Sequence, residues 1–184
     1  LCFENTFNDA SQIGSERFLQ LHFLNLEQQY IADNYRFMRT NLMPSYGNDY
    51  YTYLTSPTAI STSGFNNVTF YMDIRHDTSN DVDDGIQVQY TTDPLGIIGW
   101  TRLGSNGSGI NWYNDTDVDG IANNEHGWTG LNSENSSSNS KFMEASISSS
   151  ALDNQSTVWF RVLFASDAST TDVGVAIDNI FYLF

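Results

Sequence analysis

The sequence predicts an all-β protein in which two antiparallel sheets pack as a jelly-roll β-sandwich. Three observations carry that prediction. Charged residues make up only 16% of the chain, and Ser, Thr, Asn and Gly fill most polar positions, so residues that favour exposed helix surfaces are scarce. Aromatic residues reach 14% and join Val, Ile and Thr as side chains suited to a pleated, half-buried surface. Apolar and polar residues also alternate with a period of two in short runs separated by turn-forming clusters. No strand–helix alternation of the kind that builds a parallel sheet is present. At 184 residues the chain suits one domain, residues 1–184. A domain of that size buries roughly 70% of its unfolded surface and needs no covalent staple.

The elements follow in order. Leu21–Leu26 and Tyr35–Arg39 are strand candidates, although Phe18, Leu21, His22 and Leu26 also fit a short helix within residues 11–35. Tyr50–Leu54 comes next. In residues 68–75, Val68, Phe70, Met72 and Ile74 face one way and Thr69, Asp73 and Arg75 the other, with Tyr71 able to serve the outer face. Residues 86–91 repeat the pattern, with Gln87 and Gln89 outward. Gly99–Leu103 and Phe142–Ile147 are weaker strands. Residues 158–164 are nearly continuous in apolar character, which predicts a central strand covered on both faces. Residues 175–183 close the fold. Turn clusters lie at 44–49, 78–85, 105–109 and 132–140, the last a Ser- and Asn-rich surface loop.

Charge limits the partners. Seven Lys and Arg face 22 Asp and Glu, a formal net charge of −15. Nucleic acid is excluded, because phosphate binding needs clustered cations. The same deficit disfavours anionic lipid surfaces and heavily sulfated or carboxylated polysaccharides. No apolar run approaches the ~20 residues of a spanning helix, so no membrane insertion is expected. Cys2 is the single cysteine. It permits no internal disulfide and reads as a small buried hydrophobe. The chain opens at Leu1 without a basic, then apolar, leader, as expected of a processed or excised domain.

Carboxylates at alternate positions suit Ca2+. Asp115, Asp117 and Asp119, followed by Gly120, have the opening of a calcium loop, but position twelve of an EF-hand would fall on His126 rather than Glu. A solvated acidic turn fits the same residues equally well. Asp83, Asp84 and Gly85 read as a hairpin turn with Asp-Gly in left-handed geometry. A third candidate joins distant segments. Asp178-Asn179 interrupts an apolar strand, where an unpaired charge is costly to bury, and Glu4 lies on a strand expected beside it. Those two carboxylates can share one Ca2+, or they can accept hydrogen bonds from loop amides.

No HExxH, GxSxG or phosphate-binding GxxxxGK motif occurs in the sequence, and His76 and His126 read as surface or turn residues. A non-catalytic protein is expected. Aromatic residues form the remaining constellation. Trp100, Trp112, Tyr113 and Trp128 fall in Gly-, Ser- and Asn-rich sequence, and Tyr46, Tyr50, Tyr51 and Tyr53 form a second group. Sugar rings stack their C–H faces on Trp and Tyr while amides bond the hydroxyls, and this needs no positive charge. Burial of these rings in the core is the competing reading. The ligand-binding candidates are Trp112 and Tyr113 first, then Trp128, Trp100 and Tyr50.

The opening residues Cys2-Phe3-Glu4-Asn5, the segment Trp159–Asp167 and the closing residues 174–180 resemble the first and last strands of MAM-like jelly rolls. Residues 84–90, 100–104, 111–114 and 126–130 are similar to middle segments of the carbohydrate-binding-module-like domains of secreted Bacteroidetes multidomain proteins. The resemblance spans most of residues 54–184, and nothing comparable covers residues 8–56. It implies a non-catalytic, secreted or cell-surface module that works beside other domains of a larger protein, and the aromatic and amide residues make a polysaccharide or cell-surface glycan its expected ligand. It also implies a structural Ca2+ to which Glu4 and Asp178 match the acidic positions. A protein-interaction module of adhesin type is the alternative, and a polysaccharide hydrolase or lyase on the same sandwich a further one. The paired cysteines of eukaryotic MAM domains are absent.

Overall fold

A computed structural model describes residues 45–79, 82–122, 124–132 and 142–184, together with the backbone of two strands at 27–30 and 36–39. The expected sandwich is present. Nine strands are described: β1 (Glu27–Tyr30), β2 (Arg36–Arg39), β3 (Tyr51–Thr55), β4 (Thr69–Asp77), β5 (Gly85–Thr91), β6 (Thr101–Arg102), β7 (Met143–Ser148), β8 (Trp159–Ala165) and β9 (Gly174–Leu183). A 3-10 turn, Ser150–Leu152, is the one helical element among the described residues. No helix among them is long and apolar enough to cross a membrane. The strand candidate at Leu21–Leu26 and the ambiguous stretch before it, with Cys2 and Glu4, lie outside the described residues.

One sheet has the order β1-β2-β9-β4-β7 and the other β3-β8-β5-β6. Every pairing is antiparallel, and successive strands mostly switch sheets, which is the jelly-roll arrangement. The core lies between the sheets. From β4 come Phe70, Met72 and Ile74, and from β5 Ile86 and Val88. Phe160, Val162 and Phe164 of β8 meet Val175, Ile177, Ile180 and Tyr182 of β9 there. Phe70 sits at its centre, with ring centroids 5.2 Å from Phe160 and 5.4 Å from Tyr182.

Two local readings change. His76 continues the inward phase of Phe70, Met72 and Ile74, and is buried rather than placed in a surface turn. Its Nδ1 lies 2.8 Å from the Gly130 carbonyl, and its Nε2 has no partner among the described residues. Burial therefore pulls its pKa down to about 4. Asp84-Gly85 is not a left-handed hairpin, since neither residue has positive φ. Asp84 is a fully buried acceptor for the Tyr46 hydroxyl and for the Asp167 amide at 2.8 Å. Gly85 is needed because a Cβ there would run into Val118.

Candidate functional site

The connection from β6 to β7 carries Trp112, Tyr113 and Trp128 of the ligand-binding candidates, and it folds inward. Trp112, Tyr113 and Trp128 are 1%, 4% and 0% exposed, so they form no stacking surface for a ligand. Their polar atoms explain why they go inside. The Trp112 indole donates to the Leu103 carbonyl at 2.8 Å, and Trp128 donates to the Asn111 carbonyl at 2.9 Å. Strand β6 is two residues long. Where it stops, the Tyr113 hydroxyl accepts from the Val88 amide at 3.1 Å and donates to the Val88 carbonyl at 3.0 Å. It thereby completes the edge that a longer strand would have paired. The rings interlock edge to face, with Trp128 4.5 Å from Tyr113 and 5.1 Å from Trp112. Tyr113 holds a φ of 49°, uncommon for a bulky residue and sustained by these contacts.

The outer surface of the β3-β8-β5-β6 sheet is different. Tyr51 and Tyr53 on β3 are 58% and 57% exposed. Register places Tyr53 beside Leu163, and Thr55 in one row with Arg161, Gln89 and Arg102. Trp100, just before β6, and Trp159, at the start of β8, are half-buried on the same side. The Arg161 guanidinium lies 4.5 Å from the Trp100 ring centroid and 4.9 Å from that of Tyr53, within cation–π range of both. Arg161 Nε donates to Gln89 Oε1 at 2.7 Å, and Gln89 Nε2 donates to Gln87 Oε1 at 2.6 Å. Gln87 Nε2 in turn reaches Glu125 Oε2 at 2.8 Å. Glu125 also accepts from Arg102 at 2.6 Å. One half of the sheet is thus roofed by the loop carrying Glu125, and the half around Tyr53, Arg161 and Trp100 stays open. Strand β8 is central, as expected, but covered on its outer face only in part.

Beside this face the 93–99 turn exposes Leu95, Ile97 and Ile98. Gly96, at φ 65°, lets the turn lie against the Trp159 ring, where a Cβ would approach to 2.7 Å. Of the ligand-binding candidates, then, Trp100 alone joins the open face. Tyr50 is exposed but one residue out of phase with Tyr51 and Tyr53, next to Gly47. Tyr53 belonged to the second aromatic group but was not among the ligand-binding candidates, and Trp159, Gln89 and Arg161 were in neither. Strand parity was the available signal, since Tyr51 and Tyr53, like Trp159 and Arg161, are two residues apart.

The acidic loop is occupied with its own backbone. Asp115 Oδ1 accepts from the Thr116 and Asp117 amides at 2.7 and 3.0 Å, and Asp117 Oδ1 accepts from Asn124 at 2.6 Å. Gly120 serves close approach rather than a sharp turn, since a Cβ would collide with the Asp83 carbonyl. No group of three or more His, Cys, Asp or Glu that could hold a metal occurs among the described residues. The Asp178-Asn179 interruption is a β-bulge. Register shifts between Tyr71 and Asp73, Asn179 takes φ 47°, and the inward phase passes from Ile177 to Ile180. Asp178 pairs with Asp73 across the strands, Asn179 Nδ2 donates to Asp73 Oδ2 at 2.7 Å, and the Asn179 amide donates to Asp178 Oδ1 at 2.8 Å. Burial raises the Asp178 pKa, the amide bond opposes that, and the charge of Asp73 adds to it.

No protein-family model matches the chain, and no curated protein is significantly similar to it.

Proposed function

We propose that the protein is a non-catalytic carbohydrate-binding module of a secreted or cell-surface protein, and that the open face of the β3-β8-β5-β6 sheet is its binding site. One observation carries this reading: Tyr53 and Trp100 flank Arg161 on a solvent-facing sheet surface beside the amide of Gln89. The exposed Tyr53 ring and the half-buried Trp100 ring offer stacking for the C–H faces of sugars, and the Arg161 guanidinium, braced by the buried Gln89 amide, offers hydrogen bonds to hydroxyls. The MAM-like resemblance supports the same kind of module, with neighbouring domains in a larger chain. Histidine chemistry is not needed, and His76 is sealed in the core. In affinity electrophoresis against a panel of soluble polysaccharides, retardation by at least one polymer is expected, and Trp100→Ala and Tyr53→Ala should each remove it. Retardation that survives both substitutions overturns the placement of the site.

A structural Ca2+ belongs to this proposal. What supports it is the pairing of Asp178 with Asp73 at the β9 bulge, where burial works against the Asp178 charge and a cation would offset both carboxylates. Glu4, the proposed second ligand, lies outside the described residues. A second functional reading, protein interaction, is favoured by the exposed Leu95, Ile97 and Ile98. Loss of partner binding on Ile97→Ser, without any effect on polysaccharide retardation, would select it.

A further inference from the structure

The two arginines of the outer sheet face are treated differently by the fold. Arg102 donates to the Glu125 carboxylate at 2.6 Å and to the Gly104 carbonyl at 2.9 Å, so its charge is neutralised in place. Arg161 sits in the same row of the sheet, yet its Nε meets only the neutral Gln89. Among the described residues it has no carboxylate partner, although the chain carries 22 Asp and Glu against 7 Lys and Arg. Its Cζ lies within 5 Å of two ring centroids, at 4.5 and 4.9 Å. Cation–π contact offsets part of the lost hydration but is weaker than a bidentate pair with a carboxylate, the arrangement a guanidinium fork matches best. Gln89 fixes the fork from one side, and Gln89 is itself held by Gln87 and, through it, by Glu125. The result is a braced cation, open to solvent between two rings, with its terminal nitrogens uncommitted to any acid among the described residues.

We infer that the ligand of this face carries an isolated carboxylate on a sugar ring, a uronic acid unit in an otherwise neutral polysaccharide, and that Arg161 receives it between Tyr53 and Trp100. The inference rests on the carbohydrate reading of the same face. Isolation of the acid follows from charge. A formal net charge of −15 repels a polyanion, whereas a single acid group set among neutral units meets one local cation at short range. Rings on either side of the guanidinium then stack on the acidic sugar or its neighbours, so a carboxylate presented without a ring is not enough.

Carboxyl reduction of the ligand tests this without altering the protein. The full chain is titrated by affinity electrophoresis with neutral galactomannan and mixed-linkage glucan, and with polymers bearing sparse uronic acids, glucuronoxylan and gum arabic. Each acidic polymer is used native and after its carboxyl groups have been reduced to alcohols. An acidic polymer is expected to bind about tenfold tighter native than reduced, equivalent to about 1.4 kcal/mol. Arg161→Gln, and to a lesser extent Arg161→Lys, should bring that ratio towards one, whichever way absolute affinity moves. Equal binding of native and reduced polymers, or preference for a neutral polymer, overturns the acidic-sugar inference and leaves the carbohydrate reading standing. Failure of every polymer to retard the protein overturns the carbohydrate reading, and the inference with it.

Discussion

Two groups of aromatic residues lie near strand β5 and differ in what their surroundings ask of them. Trp112, Tyr113 and Trp128 arrive on a long loop; Trp112 and Tyr113 close hydrogen bonds that the short β6 leaves open, and Trp128 closes one with Asn111 of the same loop. Tyr53 and Trp100 arrive on or beside strands whose inner positions are already filled, so register turns them outward around Arg161. The same residue types thus become core in one place and surface in the other. What separates them is whether a backbone group needs completing, not the polarity of the sequence around them. A Gly-, Ser- and Asn-rich loop can carry a core of its own.

The sharpest way to break this contrast is to truncate one member of each group. Trp128→Ala should cost about 3–5 kcal/mol in urea denaturation, as for other buried large aromatics. Trp100→Ala should leave stability within about 1 kcal/mol while abolishing polysaccharide retardation. Similar stability losses in the two variants would erase the distinction. The loop's far anchor comes next. His76 holds the Gly130 carbonyl with its ring neutral, its pKa pulled down to about 4. An unfolded imidazole titrates near 6.5, so between those values the unfolded chain binds a proton that the folded chain does not. Stability therefore falls as pH drops from about 6.5 towards 4, by about 2–3 kcal/mol. In His76→Gln that component of the pH dependence should vanish; an unchanged profile would show that the histidine is not sealed.

Smaller still is Tyr113→Phe, which keeps the ring and removes only the hydroxyl that serves Val88. It should cost about 1–3 kcal/mol, because a buried amide loses its partner; Tyr53→Phe, on the open side, should be neutral in the same assay. The least effect is expected at the opposite sheet. In EDTA, Asp178→Asn should raise the melting temperature slightly by removing a half-buried charge that faces Asp73. Added Ca2+ should raise the melting temperature of the unsubstituted protein but not that of the variant. A Ca2+ response retained in Asp178→Asn would move the metal elsewhere.

Much of the fold was legible because its signal is local. Alternation through Phe70, Met72 and Ile74, and through Ile86 and Val88, marks the buried face without knowledge of any partner strand. Followed two residues further, the same period places His76 inside. The site was less legible. That Arg161 would share a row with Gln89 and Arg102 depends on the β3-β8-β5-β6 order, which no short window of sequence contains. Trp112 and Trp128 stood as ligand-binding candidates with burial as the competing reading, because loop composition describes what flanks a ring, not which carbonyl its N–H will reach. At Asp178-Asn179 the break in apolar phase is genuine, and the bulge accounts for it without a cation.

The strand order also has a consequence for how the molecule is made. β4 gains its β9 partner, and β3 its β8 partner, only after roughly a hundred further residues have been synthesised, at ribosomal rates of about 5–20 residues per second. Until then β3 has no partner among the described strands, and β4 has at most β7 beside it. Part of the nascent protein therefore waits seconds for the strands that complete its two sheets.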